Sequence, residues 1–371
     1  MRFRARPAAF AIGATAAGLA CVWLAYLFLR FGPLEVLPSI WADYGGWGLD
    51  LRAYVEAAGH VVREGSPYAP ESIASSFEPG PAGLYYYSPV LAVALVPAVD
   101  VPWETSSTIW FAFHVLALAA ACALMPVSRL TRVFAFCIAA FTLPVFKDSV
   151  YGNVSTLLVL PAVMGWRWID RPIGSAAIAV STAVRPSMGL LLIWQLLRRR
   201  WRAASWTIGF GVLLVAMTLP WVGIEGHRDY LDVLRNLGVP SNGSSTGGFE
   251  NRDLGGIAMS FGAGAGTTAI LRLASVVIAF GAMLLSVRRG REVSYVITLT
   301  ASLLAMPLLW DHYLAMLVVP AAFLADRWRP FAILLPLCAW LPAISAFAVM
   351  LTLGLLFATD RRSPREPASA S

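Results

Sequence analysis

Charge is what this sequence has least of. Only 13% of its 371 residues are Asp, Glu, Lys or Arg, while 58% are hydrophobic. A soluble domain carries about 25% charged residues to wet its surface. The shortage excludes an ordinary soluble domain and points to a chain solvated by lipid, in keeping with a mean hydropathy of +0.69. Lysine is nearly missing: Lys147 is the single one, and every other basic side chain is arginine. Cysteine is scarce, with Cys21, Cys122, Cys137 and Cys338 all inside apolar segments, where Cys serves as a small packing residue. No CxxC, HExxH or Walker spacing occurs, so no metal ion or cofactor is expected. The glycine run from Gly262 to Gly266 lacks the preceding strand that a nucleotide loop needs. No long polar stretch exists to build a separate soluble domain.

Apolar runs fill the rest. The length accommodates about ten or eleven membrane segments of about 20 residues with short connections. The reading is an all-α polytopic membrane protein, with residues 1–358 as one membrane domain and 359–371 as a disordered tail. Met1–Leu29, led by Arg2, Arg4 and Arg6, reads as an uncleaved first helix.

Arginine supplies the topology, because cytoplasmic loops carry the excess of basic residues. The clusters are Arg2–Arg6, Arg129/Arg132, Arg167/Arg171, Arg198–Arg202, Arg288–Arg291 and Arg327/Arg329. With all of them inside, residues 30–87 form a first outer loop and residues 223–266 a second. Val133–Trp166 becomes a hairpin whose outer turn is Lys147–Asn153, and Glu292–Asp326 another with its turn at Trp310-Asp311-His312. Pro172–Leu197 lies between two inside clusters, so it must enter and return. The break belongs at Arg185-Pro186, since proline disfavours helix at the residue before it. Ser88–Val101 is too short for a span, and Phe331–Phe357 is either one kinked span or a hairpin. The net charge of +7 is then a topology signal, and nucleic acid is not an expected partner.

This map gathers the remaining polar residues on the outer side. They are Asp43, Asp50, Lys147, Asp148, Asn153, Arg185, Asn251, Arg252, Asp311 and His312. Ionisable groups at membrane depth need protein-lined cavities and are functional candidates by default. In the first outer loop, Leu51, Tyr54, Val55, Ala58, Val61 and Val62 form one helical stripe opposite Arg52, Glu56, Arg63 and Glu64. That predicts a short interfacial helix ended by Gly65-Ser66-Pro67. Asp50 at its start reads equally well as an N-cap or as a carboxylate at the mouth of a cavity. His60 and His114 read as structural, and His227 receives no role.

Several blocks carry a resemblance. Asp50-Leu51-x-x-Tyr54-x-x-Ala57, Gly65-Ser66-Pro67-Tyr68 and Tyr87-Ser88-Pro89 resemble the first outer loop of glycosyltransferase family 87. Tyr151-Gly152-Asn153, the segment Ala179–Pro186 and Trp310-Asp311-His312-Tyr313 resemble its later blocks, with Asn251-Arg252-Asp253-Leu254 a looser match. The similarity runs in order from Asp50 to about Pro320. It implies a GT-C fold with an outer-face cavity and a lipid-phosphate-linked sugar as donor. It also implies that an acidic residue of the first outer loop, Asp50, is the catalytic base. His312 of the late block then lines the same cavity and positions the acceptor or the donor phosphate.

The chemistry of such a transfer needs a base for the acceptor hydroxyl and cations for the departing phosphate. Asp43 is the alternative base. Arg185, Lys147 and Arg252 are candidates for the phosphate, with Asn153 and Asp311 beside them as donor-binding residues; Arg offers a bidentate fork. Trp41, Trp47, Tyr85, Tyr86 and Tyr87 fit an interfacial aromatic belt better than a sugar platform. The expected activity is transfer of mannose, or another sugar, from a polyprenyl-phosphate donor to a glycolipid or cell-envelope glycan on the extracytoplasmic face of the cell membrane. The rival is a polytopic transporter or lipid flippase, which proline-broken helices also suit. No duplicated block supports that rival.

Overall fold

The computed structural model describes residues 48–68, 85–140, 142–236, 251–328 and 345–360. The expected first helix Met1–Leu29, Asp43, Trp41, Trp47, residues 331–344 and the tail from residue 361 lie outside the described residues. Within them every regular element is helical and no strand occurs.

The first outer loop contains the expected helix, α1 (Leu49–Glu64). Leu51, Tyr54, Ala57, Ala58 and Val61 are buried, whereas Arg52, Glu56, Arg63 and Glu64 face outward. Val62, assigned to the apolar stripe, is exposed instead. Gly65 stops the helix in a left-handed conformation (φ 74°) and returns its N–H to the Val61 carbonyl. Residues 88–101 stay short, as α2 (Pro89–Ala94) and a 3₁₀ turn at Val96–Ala98.

Among the described residues, three helices are long and apolar enough to cross a membrane: α3 (Trp103–Leu124), α9 (Trp201–Asn236) and α11 (Ala265–Ser286). Their outward faces carry Phe113, Leu116, Val212, Met217, Ile270 and Leu285. Such a surface is costly in water and is neutral against lipid tails. The pair α4 (Arg129–Ala140) and α5 (Leu143–Tyr151), bent by 60°, forms a fourth crossing if it is one span. It is followed by α6 (Ser155–Arg167).

Arg185 sits where the proline placed it. Helix α7 (Pro172–Val184) ends there in an extended conformation, a 3₁₀ turn covers Pro186–Gly189, and α8 (Leu190–Leu197) follows. Asp170, just before α7, pairs with Arg200, just after α8, and with Arg291 at 3.0 Å. The two ends of this broken segment therefore meet, which is the geometry of a hairpin that enters and returns. The Arg198 guanidinium donates to the carbonyls of Val287 and Arg289. Arg167 donates to Leu124, and Asp326 accepts from Ser128 and Thr131. The described arginine clusters thus gather at one end of the bundle, and the candidate catalytic residues gather elsewhere.

One boundary differs from the sequence reading. The outer turn expected over Lys147–Asn153 is tighter, because α5 runs to Tyr151 and only Gly152–Val154 turn. At Gly223, the expected start of the second outer loop, the backbone leaves helical conformation (φ 60°, ψ −167°), and helix resumes beyond it through Asn236. The remaining helices are α10 (Leu254–Ser260), α12 (Arg291–Ser302), α13 (Val318–Arg327) and α14 (Ser345–Asp360), with a 3₁₀ stretch at Asp311–Leu317.

Candidate active site

Two glycines bring the first outer loop onto the membrane bundle. Gly48 and Gly152 are both left-handed (φ 67° and 69°). The Gly48 N–H donates to the Val150 carbonyl at 2.7 Å. A Cβ on Gly152 would stand 2.8 Å from the Leu51 Cβ, so only glycine permits both the turn and the contact. Gly48 occupies the N-cap of α1, and Asp50 is therefore the second residue of the helix rather than its cap.

Freed of capping, the Asp50 carboxylate reaches across to the turn. Its Oδ2 accepts from Asn153 Nδ2 at 2.7 Å. The same amide nitrogen donates to the Tyr87 hydroxyl at 2.9 Å. Asn153 Oδ1 accepts from the Ser155 N–H (3.0 Å) and Oγ (2.7 Å). Ser155 Oγ in turn accepts from Arg185 Nη2 at 2.7 Å. A continuous hydrogen-bonded chain therefore runs from Arg185 through Ser155 and Asn153 to Asp50. Asn153 is fully buried, and its side chain is committed within the protein.

Arg185 is 3% exposed. Its guanidinium lies 4.1 Å above the Tyr313 ring. Nη1 has no hydrogen-bond partner. A buried charged group with an unused donor is costly unless a ligand completes it. His312 approaches from the other side, with Nε2 3.9 Å from Asp50 Oδ2 and likewise without a hydrogen-bond partner.

Burial sets the protonation of both groups. It pushes the Asp50 carboxyl up to about 7, helped by the charge of Asp148 and opposed by Asn153 and Arg185. It pushes His312 down to about 3, with Arg185 and Lys147 acting in the same direction and Asp148 against it. At neutral pH Asp50 is poised between its two forms and His312 is a neutral imidazole.

A second group lies beside the first. Asp311 Oδ2 accepts from Lys147 Nζ at 3.1 Å, and Oδ1 from Ser345 Oγ at 3.1 Å. Arg252 Nε is 3.8 Å from Oδ1. Lys147 and Arg252 are partly exposed (32% and 25%) while Asp311 is 12% exposed. Asn251 delivers Arg252 here. Its buried amide accepts from the Leu309 N–H and donates to the Pro307 carbonyl, and the Arg252 N–H donates to the Leu309 carbonyl. Asp253 caps α10 and pairs with Arg272 at 3.1 Å. Two cations thus share one carboxylate, leaving a net positive rim.

Asp50, Asn153, Arg185 and His312 are therefore brought together, and Lys147, Arg252 and Asp311 form the adjoining cluster. Asp43 lies outside the described residues. Tyr85 and Tyr87 are buried against Tyr54 and Tyr68, so they pack into the core and do not line a lipid-facing belt. Ser155 was missed by sequence reasoning. Its signal is the Asn153-x-Ser155 spacing at a helix start, where an Asn side chain accepts from the N–H two residues on. Among the described residues no three His, Cys, Asp or Glu side chains converge as metal ligands.

Residues 85–320 match the model of glycosyltransferase family 87. No curated protein and no solved structure gives a significant match.

Proposed function

The chain belongs to glycosyltransferase family 87, and from that premise we propose that it moves a sugar, mannose, from a polyprenyl-phosphate donor to a glycolipid or cell-envelope glycan. On this reading the fold is of GT-C type, the protein sits in the cell membrane, and the site opens on the extracytoplasmic face. The observation that carries it is the hydrogen-bonded chain joining Arg185, with its unused Nη1, to Asp50. A cation for a phosphate and a carboxylate for a hydroxyl are held in one rigid unit.

In the proposed reaction the acceptor hydroxyl oxygen attacks the anomeric carbon opposite the phosphate. Asp50 takes the hydroxyl proton as the new C–O bond forms. The bond from the anomeric carbon to the phosphate oxygen breaks, and polyprenyl phosphate leaves with the electron pair. Arg185 Nη1 receives the charge that grows on that phosphate, in a buried setting where such contacts act strongly. A single displacement with one base inverts the anomeric centre; no second carboxylate is assigned as a nucleophile. Neutral His312, 3.9 Å from Asp50, orients the acceptor. Lys147 and Arg252, held by Asp311, bind the donor at the rim. The bilayer delivers the polyprenyl chain sideways. Family membership favours this reading over a transporter or flippase.

The test is a donor panel with purified protein and an alkyl mannoside acceptor. Polyprenyl-phosphate-mannose should support transfer and GDP-mannose should not. Transfer from the nucleotide sugar alone would refute the lipid-donor reading.

A further inference from the structure

His114, which the sequence marks as structural, is wired to the site from behind. Trp110 and His114 stand one turn apart on the same face of α3. Trp110 Nε1 donates to the Gly152 carbonyl at 2.8 Å. His114 Nε2 lies 2.6 Å from the Asn153 carbonyl and 3.5 Å from Asp148 Oδ2, and Nδ1 lies 3.0 Å from the Trp110 carbonyl. His114 is 1% exposed. A carbonyl oxygen only accepts, so the contact to Asn153 requires a proton on Nε2.

These two consecutive carbonyls need outside partners. Gly152 is left-handed and Asn153 leads into α6, so neither carbonyl belongs to a helical ladder on both sides. Buried carbonyls without donors are costly. Meanwhile Asn153 holds Asp50 with one N–H, so any shift of its backbone moves the carboxylate. We propose that Trp110 and His114 are positioning residues, a two-donor clamp that fixes the Gly152-Asn153 peptide and thereby aims Asp50. The clamp touches no substrate in the transfer reaction proposed above, on which this inference rests. Its loss acts on the reacting geometry and not on substrate affinity.

The test compares His114→Leu, His114→Gln and Trp110→Phe in the full-length protein. Gln places an N–H at about the reach of His Nε2, and Leu supplies bulk without a donor. Polyprenyl-phosphate-mannose and an alkyl mannoside serve as substrates. His114→Leu should lower kcat at least about tenfold with both KM values unchanged, because small misplacements of a reacting group cost this much. His114→Gln should restore most of it. Amide exchange over residues 148–156 in detergent micelles should be faster in His114→Leu and like wild type in His114→Gln. Equal loss in Leu and Gln, a rise in KM matching the fall in kcat, or unchanged kcat and exchange in His114→Leu would each overturn the clamp. If His114→Leu does not fold, Trp110→Phe is decisive: it should lower kcat with KM unchanged, and an unchanged kcat overturns the proposal. Wild type without transferase activity would remove the transfer reading alone, and the exchange data would then decide the clamp.

Discussion

The protonation of Asp50 makes the sharpest prediction. Burial raises its carboxyl to about 7, and only the carboxylate accepts a proton. Below pH 7 the active fraction therefore falls about tenfold per pH unit, so about 1% of the plateau kcat/KM should remain at pH 5. An ordinary carboxylate, titrating near 3.8, would leave the rate at pH 5 almost intact. The donor is a phosphodiester and does not titrate in this range. Asn153 opposes the shift through its hydrogen bond. A hydrogen bond to a charged group contributes about 1.5–3 kcal/mol, so Asn153→Leu should move the limb upward by about one to two pH units. The assay is initial-rate kcat/KM from pH 5 to 9.5 for wild type and Asn153→Leu. A limb near 4 in wild type, or a limb at 7 that Asn153→Leu leaves in place, would refute the reasoning. Stability should follow the same linkage. A carboxyl whose folded pKa is raised stabilises fully below its unfolded value, and that contribution is lost as pH rises through about 7. Asp50→Asn should therefore raise the melting temperature above pH 7 and leave it unchanged below pH 4. The size is about 4 kcal/mol at most, reduced because 17% of the side chain meets solvent.

Other outcomes follow from individual contacts. Arg185→Gln should cost about 10²–10³ in kcat, the scale for removing one donor to a developing charge, while Arg185→Lys recovers part of it; single-turnover rates decide this, and unchanged chemistry in Arg185→Gln would count against the phosphate role. Gly152→Ala should destabilise by about 2–4 kcal/mol, from left-handed strain and the crowding of Leu51, and unfolding by denaturant will show it. Cysteines at exposed Val62 and Arg199 should be labelled by impermeant reagents from opposite faces of the membrane, the first from outside; labelling from one face would contradict the proposed sidedness.

Much of the fold was legible because membrane physics leaves few options. The stripe Leu51, Tyr54, Ala58, Val61 has one helical period, and α1 follows it. Pro186 forbids helix at Arg185, and α7 ends there. The arginine clusters announced a common end before Asp170 was seen to join Arg200 and Arg291. The misses have physical causes. Asp50 read equally as a cap until Gly48 was found in that position. Lys147 read as a turn residue, although α5 needs no special chemistry to extend to Tyr151. Cross-bundle partners were the least legible. Asn153 with Asp50 is separated by 103 residues and Lys147 with Asp311 by 164. No local period encodes such pairs, so the contact of Asn153 with Asp50 was not legible.

The central claim is that Asp50 deprotonates the acceptor in transfer from a lipid-phosphate sugar. Its most direct measurement is single-turnover transfer from polyprenyl-phosphate-mannose by wild type and Asp50→Asn, with donor binding measured in parallel. The account predicts transfer by wild type, donor binding in both, and a loss of at least about 10²-fold in rate for Asp50→Asn. Equal rates in the two proteins, or no transfer by wild type, would contradict it.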